Sequence, residues 1–267
     1  MKELIQAFYN TKPLWTHEQF GLQQFEFPSI DMAIIENVAI PEKLRLGHQM
    51  EYVFKHLITL AKNYQVIASN ILIDEGKVRL GELDFILKDI SSNSYLHVEL
   101  AYKFYIINPD ISEPIHRLMG PNKRDMLYTK LDKLKEKQFP LLQHPSLKQK
   151  WESLGIDPLK VKQQCCFKAQ LFSPFREEKL AIRPLNIACH AGYWVRFEQF
   201  NSIAFRTYQF YIPTKKEWPL SVHNQVLWNN HYNTLLDINL KHLKQYAPMV
   251  WVQTTEGELF KLFVVWW

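Results

Sequence analysis

The chain has 267 residues, 47% of them hydrophobic and 22% charged, with a formal net charge of +5. That length and apolar content suffice for a sizeable core, in one large domain or two small ones. The sequence holds no run of eighteen apolar residues for a membrane span, and Met1-Lys2-Glu3-Leu4 opens no signal-peptide core, so a cytoplasmic location without a membrane partner is expected.

Residues 1–40 scatter Phe8, Tyr9, Trp15, Phe20, Phe25 and Phe27 among prolines. So many aromatics argue against disorder, and the stretch reads as an irregular N-terminal arm packed on the body. Leu46, Met50, Val53, Phe54, Leu57, Leu60 and Ala61 then recur at helical spacing, which predicts a helix from Pro41 to Asn63 with Glu51 on its flank.

Three strands follow. Val66 to Ile73 is apolar and β-branched and ends at the hairpin signal Asp74-Glu75-Gly76-Lys77. The second strand, Gly81 to Leu87, carries Glu82 and Asp84 on one face. Beyond the polar turn Ser91 to Ser94, the third alternates Leu96, Val98, Leu100, Tyr102 and Phe104 with His97, Glu99, Ala101, Lys103 and Tyr105. Tight turns make an antiparallel meander the simplest pairing, with an apolar face and a charged face on the third strand.

A loop carrying Pro109, Pro114, Gly120 and Pro121 leads to a second predicted helix, Lys123 to Gln138. From Gly120 to Lys168 there are ten Lys and one Arg against five acids, so the basic excess lives in one segment. A polyanionic partner and a solvated helix face explain that count equally well.

Beyond Pro140 the pattern predicts a short helix at Ser146–Leu154 and a strand at Cys165–Phe172. From Ala181 onward it reads mainly as strands, including Tyr193–Phe200, Ala204–Ile212 and Leu259–Trp267, with one helix at Asn233–Gln245. Cys165, Cys166 and Cys189 form no zinc-type spacing and read as reduced, partly buried thiols. The expected class is α/β (α+β). The expected division is an arm over 1–40, a core over 41–173 and a β-rich subdomain over 174–267, packed as one body.

Asp84, Glu99 and Lys103 on neighbouring strands would gather two carboxylates and an amine. That set suits Mg2+, or Mn2+, which takes oxygen ligands from carboxylates, waters and phosphate oxygens. A helix with an acid, a strand with Asp, a strand with Glu and a nearby Lys, then a basic helix, resembles the core of the PD-(D/E)XK, restriction-endonuclease-like nuclease superfamily. The resemblance implies a helix, a three-stranded meander, a helix and a further strand. It also implies metal ligation by Asp84, Glu99 and the Leu100 carbonyl, with Glu51 as the acid of the first helix and Lys103 acting on the attacking water. The wording Leu80-Gly81-Glu82-Leu83-Asp84-Phe85, then Glu99-Leu100-Ala101-Tyr102-Lys103-Phe104-Tyr105, then Gly120-Pro121-Asn122, resembles an uncharacterised bacterial domain-of-unknown-function family over most of the chain.

One residue departs from the nuclease pattern. Ala101 stands where the motif has Lys, and Lys103 lies about 7 Å further along the strand at ~3.3 Å per residue. Plainer readings stand beside each assignment. The strand charges could form a cross-strand ion pair worth ~0.2–1 kcal/mol. Glu51 could pair with Lys55, and His97 could be structural or an auxiliary ligand, as could Glu82. Lys123, Arg124, Lys130 and Lys133 could grip a nucleic-acid backbone or form a salt-bridged helix.

The leading expectation is Mg2+-dependent phosphodiester hydrolysis of nucleic acid, DNA ahead of RNA. Its rival is a degenerate nuclease fold serving as a nucleic-acid or protein binding module, and an enzyme acting on a small phosphorylated substrate is a third reading.

Overall fold

The computed structural model describes residues 2–35, 40–41, 43–176 and 182–267. In chain order its elements are α1 (Lys2–Asn10), β1 (Glu18–Gln19), β2 (Leu22–Gln23), α2 (Leu46–Leu60), β3 (Tyr64–Glu75), β4 (Val78–Asp89) and β5 (Ser94–Ile107). They continue with β6 (Leu118–Met119), α3 (Leu127–Lys133), α4 (Lys148–Leu154), β7 (Lys162–Pro174), β8 (His190–Arg196) and α5 (Phe197–Phe200). Last come β9 (Gln209–Tyr211), α6 (His231–His242), β10 (Met249–Gln253) and β11 (Leu259–Val265). Mixed sheet and helices place the chain in the expected α+β class. Two compact units emerge, one of residues 1–102 and 129–168, the other of 103–128 and 169–267, so β5 and β7 each give a first half to one unit and a second half to the other.

The first unit is built on the antiparallel meander β3-β4-β5. Gly76, at φ 61, makes the left-handed turn that lets β3 return as β4. Helix α2 forms because Leu46, Met50, Val53, Phe54 and Leu57 fall on one stripe, and all five are buried. Phe54 is its anchor: its ring stands 4.5 Å from Phe85 of β4, 5.8 Å from Phe25 and 6.5 Å from Phe8 of α1. Burying each such ring stabilises the unit by about 2–3 kcal/mol. A second cluster joins Ile71, Leu83 and Ile86 to Leu142, Leu147 and Trp151.

In the second unit β7 and β8 pair in parallel, as do β8 and β11, while β11-β10 and β10-β9 are antiparallel. Helix α6 buries Ile238 against Phe200, Phe210, Val250, Val252 and Leu262. In the β8–β11 pair, Gly192 registers with Lys261, and a Cβ on Gly192 would stand 2.3 Å from the Lys261 carbonyl oxygen. Backbone cannot swing aside as a side chain can, so Gly192→Ala is expected to cost about 1–3 kcal/mol. Gly81→Ala meets only Leu141 Cδ1 at 2.6 Å, a terminus that can rotate, and should cost under about 1 kcal/mol. Chemical denaturation of the two variants checks that order.

Several elements differ from their sequence expectation. The N-terminal arm opens with a regular helix, α1, which buries Leu4, Ile5 and Phe8. Helix α2 starts five residues after Pro41, because Leu44 N–H closes a turn on the Pro41 carbonyl at 3.2 Å. The second helix starts at Leu127, since Lys123 takes a left-handed φ of 55, and it continues as a π-helical turn over Leu134–Gln138. Tyr193–Phe200 is split: β8 ends at Arg196, where Gln199 Oε1 accepts the Arg196 N–H at 3.0 Å and helix α5 begins. Ala204–Ile212 resolves into a 3-10 turn, Ile203–Phe205, and the short β9. Ala181, where the strand-rich half was to begin, lies outside the described residues.

The charged face of β5 is buried at its centre. His97 and Glu99 are both 0% exposed. The end of the π-helical turn and the residue after it cover them, with Gln138 reaching Glu99 and the Phe139 ring edge-on to His97 at 5.6 Å.

Candidate functional site

The β4–β5 ladder runs from Asp89↔Ser94 to Phe85↔Val98 and stops there, although both strands continue. The same register places Asp84 opposite Glu99 as the next pair. Here side chains take the place of main-chain partners. The Leu100 N–H donates to Asp84 Oδ2 at 2.8 Å, and the Asp84 N–H donates to Glu99 Oε1 at 3.4 Å. Each acid thus caps backbone of the other's strand, which satisfies donors that the ended ladder would leave orphaned.

On the other edge of β4, Asp84 lies opposite Asn70, between the pairs Ser69↔Phe85 and Ile71↔Leu83. Asn70 has φ 53, a left-handed backbone inside a strand that Asn tolerates better than most residues. Its Nδ2 donates to Glu51 Oε2 at 2.9 Å, tying helix α2 to the same row.

Glu99 is held on both oxygens. Oε1 meets His97 Nε2 at 2.9 Å, and Oε2 accepts from Gln138 Nε2. Gln163 Nε2 donates to the Phe139 carbonyl at 2.7 Å and faces His97 Nδ1 at 3.3 Å. An amide nitrogen has no acceptor to offer, so Nδ1 accepts and Nε2 carries the hydrogen toward Glu99. Gln138 Oε1 accepts from Lys130 Nζ at 3.0 Å, so one amide links a lysine to the buried carboxylate.

These acids repel one another. Burial pushes the Asp84 carboxyl well above its ordinary range; Glu99 and Glu51 push it further, while the Leu100 N–H and Lys130 oppose them. Glu51 is raised by burial, with Glu82 and Glu99 adding to the effect and Asn70 and His48 opposing it. Beside this row lies a cleft of ≈ 280 Å³ whose walls include Arg79, Gly81 and Glu82 of β4 and Lys133, Lys137 and Gln138. Arg79 is also ion-paired to Asp74.

Of the residues named from sequence, the structure brings Asp84, Glu99, Leu100, Glu51, Glu82 and His97 into one neighbourhood. Lys130 and Lys133 join them from the basic segment. Leu100 contributes its N–H, and His97 orients Glu99. Lys103 belongs to the second unit, where its Nζ is bound to Asp125 Oδ2 at 2.6 Å. Lys123 Nζ, in the same unit, sits 4.0 Å over the Trp267 ring, and Arg124 is exposed.

Sequence reasoning missed Asn70, Gln138, Gln163, Arg79 and Lys137. Only Lys137 carried a signal, the recurrence of Lys130, Lys133 and Lys137 at helical spacing; an amide 39 residues from its carboxylate partner carries none. Among the described residues, no group of three or more His, Cys, Asp or Glu is arranged to hold a metal ion, and no helix is long and apolar enough to cross a membrane.

No curated protein and no solved structure matches the chain. A family described as a domain of unknown function, DUF1853, matches residues 18–257, nearly the whole length, and the chain belongs to that family.

Proposed function

We propose that this protein hydrolyses phosphodiester bonds of nucleic acid, with Asp84 and Glu99 as the centre of a divalent-metal site of the PD-(D/E)XK kind. The observation that carries the reading is the buried pair itself: two carboxylates meet where a ladder ends, and one is held well above its ordinary pKa by burial and by the other. Like charges placed together away from water need a cation or a shared proton. Two carboxylates with oxygen donors only fit Mg2+ or Mn2+, which fills its remaining positions with water and phosphate oxygens. When bound, such an ion would acidify a water and neutralise charge on the phosphate it touches.

The chain's own residues have separable roles in this reading. His97 and Gln138 fix the rotamer of Glu99, and the Leu100 N–H fixes Asp84. Lys130 supplies a positive charge that acts on Asp84. Lys133, Lys137 and Arg79 line the cleft and give it positive walls toward a phosphate backbone.

The test is a cleavage assay on single- and double-stranded DNA and RNA with Mg2+ or Mn2+. Wild type should cut at least one of these, and Glu99→Gln should lose about 100-fold or more in rate. Lys133→Ala/Lys137→Ala should weaken substrate binding and flatten its salt dependence. Activity unchanged in Glu99→Gln would refute the site. The Lys103–Asp125 ion pair favours the second reading, a nuclease fold that binds without cutting. Salt-dependent binding by wild type with no cleavage under either metal would decide for it.

A further inference from the structure

Helix α6 is apolar on two opposite faces. One face is buried through His231, Thr234 and Ile238, in the core of the second unit. The other carries Tyr232, Leu236 and Leu240, and Leu243 continues it just past the helix end; these are 66%, 48%, 60% and 77% exposed. Their spacing of four, four and three residues keeps them on one stripe, an unpartnered surface of the kind that marks an interaction site.

The charges beside the stripe say what covers it. Asp237, Lys241 and Lys244 all follow a stripe position by one residue, so they lie along the same flank, with the acid nearer the helix start and the bases nearer its end. Among the described residues, no ion pair engages any of the three. When two helices pack antiparallel about a two-fold axis, each flank meets the same flank of the other copy. With the axis near Asn239, Asp237 of one copy is level with Lys241 of the other. Leu236 is then level with His242, so it inserts between Leu240 and Leu243. A shallow hollow lined by Asp237, Leu240, Lys241, Lys244 and Tyr246 lies on this flank to receive the partner's side chains. The same register therefore brings the apolar stripe together and sets Asp237 against Lys241, which an unrelated partner has no reason to do.

We propose that the occupant is a second copy of this chain, docked antiparallel through α6 to form a two-fold symmetric dimer. Sedimentation equilibrium of the full chain from about 1 to 100 μM, a range that brackets micromolar affinity, tests it. Wild type should rise from the 31.8 kDa monomer mass toward twice that value. Leu240→Glu, at an exposed position where folding is unaffected, should remain monomeric throughout. Lys241→Asp should weaken association about tenfold by setting acid against acid, and Asp237→Lys/Lys241→Asp should restore it to within about threefold of wild type.

A monomeric wild type at every concentration would overturn the proposal. So would a dimer that survives Leu240→Glu, or a double exchange that associates no better than the single one.

Discussion

Asp84→Asn is expected to abolish metal-dependent cleavage and to make the folded chain more stable at neutral pH. The folded-state pKa of Asp84 lies above its ordinary value of 3.8, through burial first and Glu99 second. Between those two values the native state holds more protons than the unfolded chain, so this group's contribution to stability is present below about 3.8 and is lost as pH rises through the folded value. Asn keeps an oxygen for the Leu100 N–H and removes the charge, so its advantage should grow with pH. It should be near zero at pH 4 and about 0.5–2 kcal/mol at neutral pH, a typical gain when a strained functional group is relieved. Denaturant titrations at the two pH values, beside the cleavage assay, check both halves. A variant no more stable than wild type at neutral pH would remove the like-charge account of this pair.

The second large effect belongs to a residue with no proposed contact to substrate. His97→Leu is expected to destabilise the protein by about 2–4 kcal/mol, because it strips the best partner from Glu99 Oε1 while both side chains are fully buried. The oxygen would keep only the Asp84 N–H at 3.4 Å. Thermal unfolding should move down by several degrees, at roughly 2–4 °C per kcal/mol for a chain of this size. Coupling separates lost packing from a stranded charge: His97→Leu/Glu99→Gln should cost less than the sum of the single changes. Additive losses would mean that His97 acts only by filling space.

These two residues mark how far the sequence could be read. Strict alternation and turn chemistry made β3, β4 and β5 visible, and with them the row in which Asp84 faces Glu99. The same alternation left open what covers the His97–Glu99 face, because periodicity records which residues are apolar and not what a distant segment lays over them. The covering segment is a π-helical turn, whose five-residue register no helical spacing rule anticipates, and it carries Gln138 onto Glu99. Lys103 was chosen for its place along the strand, yet Asp125 holds it. Helix α1 stands at the head of an arm whose scattered aromatics and prolines read as irregular, and only Leu4, Ile5 and Phe8 mark its buried face. The exposed stripe of α6 was equally hidden: a helix apolar on two faces reads from sequence as an ordinary core helix.

Whether Asp84 and Glu99 share a divalent cation is tested most directly by calorimetric titration of Mn2+ into the full chain, without substrate. Wild type should take up the metal and gain thermal stability as it fills, by mass action. Asp84→Asn and Glu99→Gln should each bind at least about tenfold more weakly. A wild type that binds no Mn2+, or variants that bind it as tightly as wild type, would contradict the metal site.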